Sequence, residues 1–585
     1  MAKWLEVDAS CVSMFPQTSR SEVRTNATVL CFPTERELLM MSPDPTRGHL
    51  QERVANSLRK IEELELAYQT TTLGQLVSMR ARTHGSALAI DIFERGERAT
   101  YAQMDRRSNS CAHALRRFGV RKGDRVGMML PNRIEFPVLW FALAKLGAVM
   151  VPINMYYTPR EVDFVLRDTQ AKFAIVDESA WPTFTAMNPW PPDLAKERVV
   201  LVGNGTATAT TLHEVLEGVE SSPVDENVQP DDLLTIQHTS GTTGFPKGCM
   251  LTHDYWGVCS YVYAYLDYHP YKRHLSWSSP AYSYWPNIFL KSYRQGGTLY
   301  LAQEMNWSRF IDWLEEYRIE WCALPRLIAE TAHQVPRCLK QVSQYDGWSA
   351  DTIRRFREQF GVPGHCPFGM TEIGYGMQLS YDLEEMTDTR SIGICSPFRN
   401  LRLVNDDGSP TPVGGVGELW VSGRGIFKGY WNDPEANAEA FEGEWFKTGD
   451  LMRRDELGFY WFVGRRKDVI RRWTENIAAR EVEAIIGEIP EIADVAAVPV
   501  PDDKRGEEVK IYVELREGIT PASLPIERIL EHARKRLAAF KVPRYIAFTP
   551  ALPRTTSSNK VLKRDLLTIS DPLSGAYDCE EKRWR

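Results

Sequence analysis

From residue 73 onward, segments with helical spacing alternate with short apolar runs, and this alternation constrains the fold more than any other feature of the chain. Segments 73–83, 101–118, 134–146 and 159–168 carry the helical period, and 125–130, 148–153 and 173–176 are apolar runs of strand length. A helix placed between two strands lets them run parallel and covers the faces of their sheet, so the pattern predicts βαβ units around parallel-rich sheets. The same texture returns at 233–238, 298–302 and 321–324, whereas 391–463 is rich in Gly and turns, with short strands at 417–421 and 459–463. That stretch reads as a small β-barrel or β-ribbon. Beyond 465 a βαβ-like pattern resumes, with helices at 479–489 and 526–539 and strands at 495–500 and 509–514. The expected fold class is therefore α/β. A large N-terminal domain (70–465) has parallel-rich sheets and a small β-subdomain, and a small mobile α+β domain (466–570) follows. Residues 1–69 form an extension without an assigned role, and 571–585 a tail. Within the extension, 49–68 reads as an amphipathic helix with Leu58, Ile61, Leu64 and Leu66 as its stripe.

Composition excludes several classes. Of 585 residues, 43% are hydrophobic and 25% charged, which supports large cores and rules out collagen-like or wholly disordered chains. A formal net charge of −7 gives no global field for nucleic acid. The ten cysteines are scattered without a C-x-x-C, which fits free thiols in a reducing compartment. The opening of the chain is mixed, with Glu6 and Asp8 inside it, and does not read as a signal peptide. The most apolar stretch, 136–153, holds Lys145 and Pro152 and reads as a buried helix running into a strand, not as a membrane span. The expectation is a cytoplasmic protein acting on small molecules, with no nucleic-acid partner and no membrane span. Its oligomeric state is left open.

The densest chemistry lies in Gln237-His238-Thr239-Ser240-Gly241-Thr242-Thr243-Gly244-Phe245-Pro246-Lys247-Gly248, directly after the apolar run 233–236. Glycine lets successive backbone N–H groups converge on phosphate oxygens, and hydroxyls and an ammonium lie in the same short loop. It is not a Walker A loop, because Lys247 is followed by Gly248. The loop reads as a phosphate cradle, with Thr239, Ser240, Gly241, Thr242, Thr243, Gly244 and Lys247 as nucleotide contacts. Four further elements follow in order: Phe368-Gly369-Met370-Thr371-Glu372, Phe446-Lys447-Thr448-Gly449-Asp450, Gly464-Arg465-Arg466-Lys467-Asp468, and Pro553-Arg554-Thr555-Thr556-Ser557-Ser558-Asn559-Lys560.

With these elements in this order the chain resembles the adenylate-forming enzymes, the superfamily of acyl-CoA synthetases, carrier-protein adenylation domains and luciferases. The likeness runs from about 73 to 566. In texture it is nearest to carnitine/crotonobetaine-type and aryl or medium-chain acyl-CoA ligases, through 161–166 and Ala538-Ala539-Phe540-Lys541-Val542-Pro543. The resemblance implies an AMP-forming ligase that uses ATP and Mg²⁺ to turn a carboxylic acid into an acyl-adenylate, and by default passes the acyl group to CoA. It implies that Thr371 meets the α-phosphate, that Glu372 holds Mg²⁺, that Asp450 binds the ribose with Arg465 beside it, and that Lys467 is the hinge. Lys560 is then the catalytic lysine: an ammonium between two anionic partners offsets the charge that builds on the phosphate. Acyl-pocket positions fall on Tyr282, Ser283, Tyr284, Trp285 and Tyr375. These flat, partly polar side chains suit an aryl acid, with aromatic core packing as the competing account.

Four departures stand against the family pattern. Trp473-Thr474 occupies the place where such CoA ligases carry Gly-Gly beside the pantetheine channel. Ser283 stands where His is common. Trp348 falls in the expected adenine-binding turn, and Asn559 replaces a usual Gly. The first two departures place a non-CoA acceptor beside the default: an amine giving an amide, or diazotase-like activation of nitrite for an aryl amine. A non-catalytic nucleotide-binding protein is the third reading, against which the intact Glu372, Asp450, Arg465 and Lys560 argue.

Overall fold

The computed structural model describes residues 45–585 apart from 206–208, 225, 240–245, 267–268, 346–347, 349, 380–382, 384–385, 388, 406, 466–468, 474, 555–560, 562 and 568. For a few others, Arg465 among them, it describes the backbone alone.

Two seven-stranded sheets form the larger part. One runs Thr210–Thr211, Val199–Val202, Phe173–Asp177, Arg125–Met129, Val149–Pro152, Leu233–Thr239, Lys247–Thr252. Its strands pair in parallel except the last two, which form an antiparallel hairpin. The other runs Gly364–His365, Gln341–Tyr345, Trp321–Pro325, Arg273–Ser276, Thr298–Leu301, Leu88–Ile92, Glu97–Thr100, and is parallel except for its last pair. One apolar core joins both sheets through Tyr101–Arg117, Glu135–Leu146, His253–Tyr265 and Tyr284–Arg294. The helix Glu135–Leu146 is apolar all round and buried from Phe136 onward, as expected for a helix without a wet face. Lys145 within it is satisfied by Asp105 Oδ1 at 2.7 Å and Asn109 Oδ1 at 2.6 Å. Helix starts follow their local sequence. Thr72 with Gln75, Thr100 with Gln103 and Thr158 with Glu161 all form capping boxes, each satisfying two backbone donors.

The turn-rich region is an antiparallel sheet of Arg399–Val404, Val416–Gly423, Trp445–Arg454 and Phe441–Glu442, with Tyr460–Arg465 added to Trp445–Arg454. The C-terminal part is a third seven-stranded sheet with its own apolar core. Here Gly506–Leu515, the helix Ile526–Arg534 and Tyr545–Thr549 form a parallel βαβ unit. Ile492–Asp502 and Gly506–Leu515 form a long antiparallel hairpin, so the strands expected at 495–500 and 509–514 are neighbours and not a crossover pair.

Two expectations need correction. Residues 571–585 are not a loose tail: Ala576–Asp578 pairs with Tyr545–Thr549, and Arg583–Trp584 pairs with Ala576–Asp578. A buried Asp578, held by Arg585 at 2.8 Å and Arg544 at 3.5 Å, fixes them, and strands this short carry no readable period. In the helix Pro45–Ala67, Leu50, Leu58 and Ile61 pack with Val54 and Ala55 against Leu379, Leu383, Met386, Ile394, Leu457 and Phe459. Leu66 lies off that stripe and is 87% exposed. Among the described residues, no helix is long and apolar enough to cross a membrane.

A buried imidazole makes the fold pH-sensitive. His253 Nδ1 accepts from Leu73 N at 3.1 Å. Burial lowers its pKa to about 4, against an opposing pull from Asp232. Between about pH 6.5 and 4 the unfolded chain gains a proton here that the folded one refuses. The contribution is therefore complete above 6.5 and declines as pH falls, by roughly 3 kcal/mol at most. Urea midpoints at pH 7.5 and 4.5 should differ less in His253→Asn, which keeps an acceptor for Leu73; an unchanged difference would exclude His253 as the source.

Candidate functional site

The hairpin Leu233–Thr239/Lys247–Thr252 presents the phosphate-type loop at its tip, with Thr239 and Lys247 paired in register at the mouth. Ser240, Gly241, Thr242, Thr243 and Gly244 lie outside the described residues, as do Lys467, Thr474 and Lys560. Thr239 Oγ1 rests 3.9 Å from Cys249 Sγ, and Lys247 Nζ is 5.0 Å from the centroid of the Tyr430 ring.

Tyr430 ties this hairpin to the Thr371-Glu372 turn. Its hydroxyl donates to Glu372 Oε1 at 3.1 Å, and Phe427 N donates to the Glu372 carbonyl at 2.8 Å. Burial and the nearby Glu372 charge push the Tyr430 phenol far above its ordinary range, so it stays a proton donor. The turn joins Phe368–Met370 to Gly374–Gln378. Gly374 closes it at φ +64, and a Cβ there would meet Cys259 Sγ at 2.2 Å. Across the turn, Thr371 Oγ1 and Ser283 Oγ are 3.1 Å apart. Lys247, Tyr430, Glu372, Thr371 and Ser283 thus form one continuous set. The sequence does not single out Tyr430, because a Tyr in a turn carries no signal that its hydroxyl meets a carboxylate 58 residues away.

Asp450 is fully buried on Trp445–Arg454, where its register partner is Arg465 on Tyr460–Arg465. The Thr448-Gly449 turn is fixed by Thr448 Oγ1 donating to Leu419 O at 2.8 Å and Gly449 N donating to Glu418 Oε1 at 3.1 Å. Phe446, at the start of this strand, packs edge-on against Phe427, which packs in turn against Tyr430.

On the acyl side, the Tyr282 oxygen accepts from Asn154 Nδ2 at 2.7 Å, and its hydroxyl donates to Glu475. Burial, then the Glu475 charge, raise this phenol well above its usual value. Glu475 belongs to the C-terminal sheet, so the hairpin Val469–Arg472/Glu475–Ala478 stands directly against the proposed acyl positions. Neither Asn154 nor Glu475 was legible as a site residue, although Glu475 directly follows Trp473-Thr474. Tyr284 lies beside Ser343, Tyr263, Cys322 and Cys366, and Tyr375 stacks on Tyr263 with centroids 4.5 Å apart. Trp285 lies outside this group, in the main core against Phe136 and Phe289.

Trp473 takes φ +53 at the first position of a two-residue hairpin turn between the paired Arg472 and Glu475. Such a turn favours Gly or Asn there, so an indole carries backbone strain. Its ring is 47% exposed, with the Arg505 guanidinium 4.9 Å from the centroid. Trp348 is different: it is buried, donates from Nε1 to Leu324 O at 3.2 Å and packs on Phe356, which turns its indole into the core.

Residues 77–431 match the family described as AMP-binding enzyme, and 481–559 match the AMP-binding enzyme C-terminal domain. The crotonobetaine/carnitine–CoA ligase of Shigella dysenteriae serotype 1 is 30% identical over 502 residues, covering 80% of this chain and 93% of that protein. Among solved structures, the Mycobacterium tuberculosis fatty acyl CoA synthetase is 28% identical with a TM-score of 0.61, over 85% of this chain and 97% of that one. The amide bond synthetase McbA from Marinactinospora thermotolerans, 22% identical with a TM-score of 0.74 over 85% and 99% of the two chains, shares the fold.

Proposed function

The chain belongs to the AMP-binding enzyme family, and from that premise we propose that it activates an aromatic carboxylic acid as its acyl-adenylate. The observation that supports this most is the set of Lys247, Tyr430, Glu372, Thr371 and Ser283 gathered at the mouth of the hydroxyl- and Gly-rich loop. A carboxylate oxygen of the acid bonds to the α-phosphorus of ATP, and the bond to the β,γ-phosphates breaks to release pyrophosphate. Lys247 and the loop hydroxyls orient the phosphates, Thr371 meets the α-phosphate, and Asp450 and Arg465 take the ribose side. Glu372 suits Mg²⁺: it is a buried carboxylate with Thr371 adjacent, and a hard cation takes one such ligand and completes its shell with phosphate and water. When bound, the ion offsets triphosphate charge. Tyr430, kept protonated, holds Glu372 in place through its hydrogen bond. In the second step a nucleophile attacks the acyl carbon, its proton passes to solvent or a basic side chain, and AMP leaves.

The acceptor is CoA by the family's default, consistent with relatives named as CoA ligases. A non-CoA acceptor is the second reading, favoured by an indole at φ +53 where glycine fits, and a neighbour of the same fold is named an amide bond synthetase. The deciding experiment measures pyrophosphate and AMP over a panel of aryl acids, with and without CoA and with amines. Acid-dependent pyrophosphate release supports adenylation; its absence across the panel, with ATP bound, overturns it. The paired change Trp473→Gly with Thr474→Gly, which removes the indole from the turn, should raise CoA-dependent turnover about tenfold, or ~1.4 kcal/mol. Fast thioester formation by the unaltered protein at micromolar CoA would remove the support for the second reading.

A further inference from the structure

Below the proposed acyl positions lies a box of aromatic rings already filled by a cation of the protein itself. Lys291 Nζ is 4.2 Å from the centroid of Trp321, 4.4 Å from Tyr263 and 5.7 Å from Tyr271. Lys291 and Trp321 are at most 1% exposed, and Tyr263 and Tyr271 are buried. Rings so arranged attract a cation through their electron-rich faces and are the usual means of holding a quaternary ammonium group. Here that space is taken, whatever else the ammonium bonds to.

The box shares a helix and one wall with the acyl side of the site. Lys291 sits seven residues after Tyr284 on Tyr284–Arg294, hence on the same helix face and about 10 Å further along. Long side chains lean toward the helix N-terminus, where Ser283 meets Thr371. Tyr263, one wall of the box, stacks on Tyr375, four residues past Thr371. On that placement, an aryl acid whose carboxylate lies near Thr371 and which extends along Tyr284–Arg294 brings its far end toward this box. His274, also fully buried, bonds through Nε2 to Gln295 Oε1 at 3.0 Å. Burial and then the Lys291 charge hold its imidazole well below its usual range, so the neighbourhood keeps one imposed cation and not two.

We propose that Lys291 sets substrate charge: by filling the aromatic box, it makes the site select acids whose far end is neutral or anionic and exclude those with a cationic head. The inference rests on the adenylation reading and names its substrate class.

The test uses charge-differing isosteres, 4-(trimethylammonio)benzoate against 4-tert-butylbenzoate, and the corresponding cinnamates. Each is assayed for pyrophosphate release and, independently of turnover, as a competitor of an acid the panel identifies. The unaltered protein should favour the neutral member at least thirtyfold in kcat/KM or in inhibition. Lys291→Met, of similar length and without charge, should cut that preference at least tenfold by admitting the cationic acid. The comparison in the unaltered protein stands even if the variant folds poorly. Equal use of both members, an unchanged preference in a folded Lys291→Met, or no competition by either member would overturn the inference while leaving adenylation intact. If no acid of the wider panel releases pyrophosphate, the adenylation reading itself falls, and this inference with it.

Discussion

Lys560→Ala should lower acid-dependent pyrophosphate release by about 10²–10³-fold while ATP affinity changes little. In the first step two anions approach each other, and charge accumulates on the α-phosphate as the new P–O bond forms. An ammonium between them is worth more in that transition state than in the ground state, so its loss falls on rate and not on binding. Removing one preorganised group of this kind typically costs about 2.7–4 kcal/mol. Pyrophosphate release and calorimetric ATP titration give the two numbers. Consumption of a chemically prepared acyl-adenylate should survive in the variant, because that step makes no bond to phosphate. Adenylation near the rate of the unaltered protein would remove Lys560 from the site, and collapse of ATP binding would make it a binding residue.

Lys541→Ala should destabilise the protein by ~3–5 kcal/mol, the range for stripping one partner from a buried ion pair. Lys541 Nζ donates to Glu161 Oε1 at 3.0 Å and to Glu481 Oε1 at 2.8 Å, with its side chain 3% exposed. Burial alone would lower its pKa, but Tyr157, Glu481 and Glu161 outweigh it and raise the lysine far above the ordinary range. Without the ammonium, two carboxylates face each other in a dry contact. Glu161 is also the capping-box residue of Pro159–Asp168, while Glu481 lies in the C-terminal part on Ala479–Ile486, so one lysine joins the two. Urea unfolding measures the loss. Lys541→Met combined with Glu161→Gln and Glu481→Gln should recover most of it, since the uncompensated charge then disappears. A loss below about 1 kcal/mol in Lys541→Ala would show that water reaches the contact.

Long periodic segments announced themselves in the sequence. The run 136–153 became a buried helix and an inner strand because eighteen residues of one character leave little choice of environment. The strand leading into the phosphate-type loop was legible because glycines and hydroxyls crowd one turn after an apolar run, but its antiparallel partner Lys247–Thr252 was not. Contacts between distant segments were not legible. Tyr430 on Glu372, Asn154 and Glu475 on Tyr282, and Lys291 among Tyr263, Tyr271 and Trp321 are meetings of single side chains across long loops. Each residue alone looks like packing or solvated charge. The closing strands at 576–584 escaped for another reason: they are held by a buried Asp578 between arginines, and ion pairs leave no periodicity.

The half-exposed indole of Trp473 is also a reporter. It sits on the hairpin whose Glu475 meets Tyr282, and its immediate neighbour is the charged face of Arg505. A rotation of the C-terminal sheet that separates Glu475 from Tyr282 carries this half-exposed ring into a changed solvent and charge environment. With 5-fluorotryptophan incorporated throughout, Trp473→Phe identifies one ¹⁹F resonance among the 17 tryptophans. Its shift under ATP, acid and acceptor would report whether the C-terminal sheet rotates between half-reactions, without attaching a foreign label.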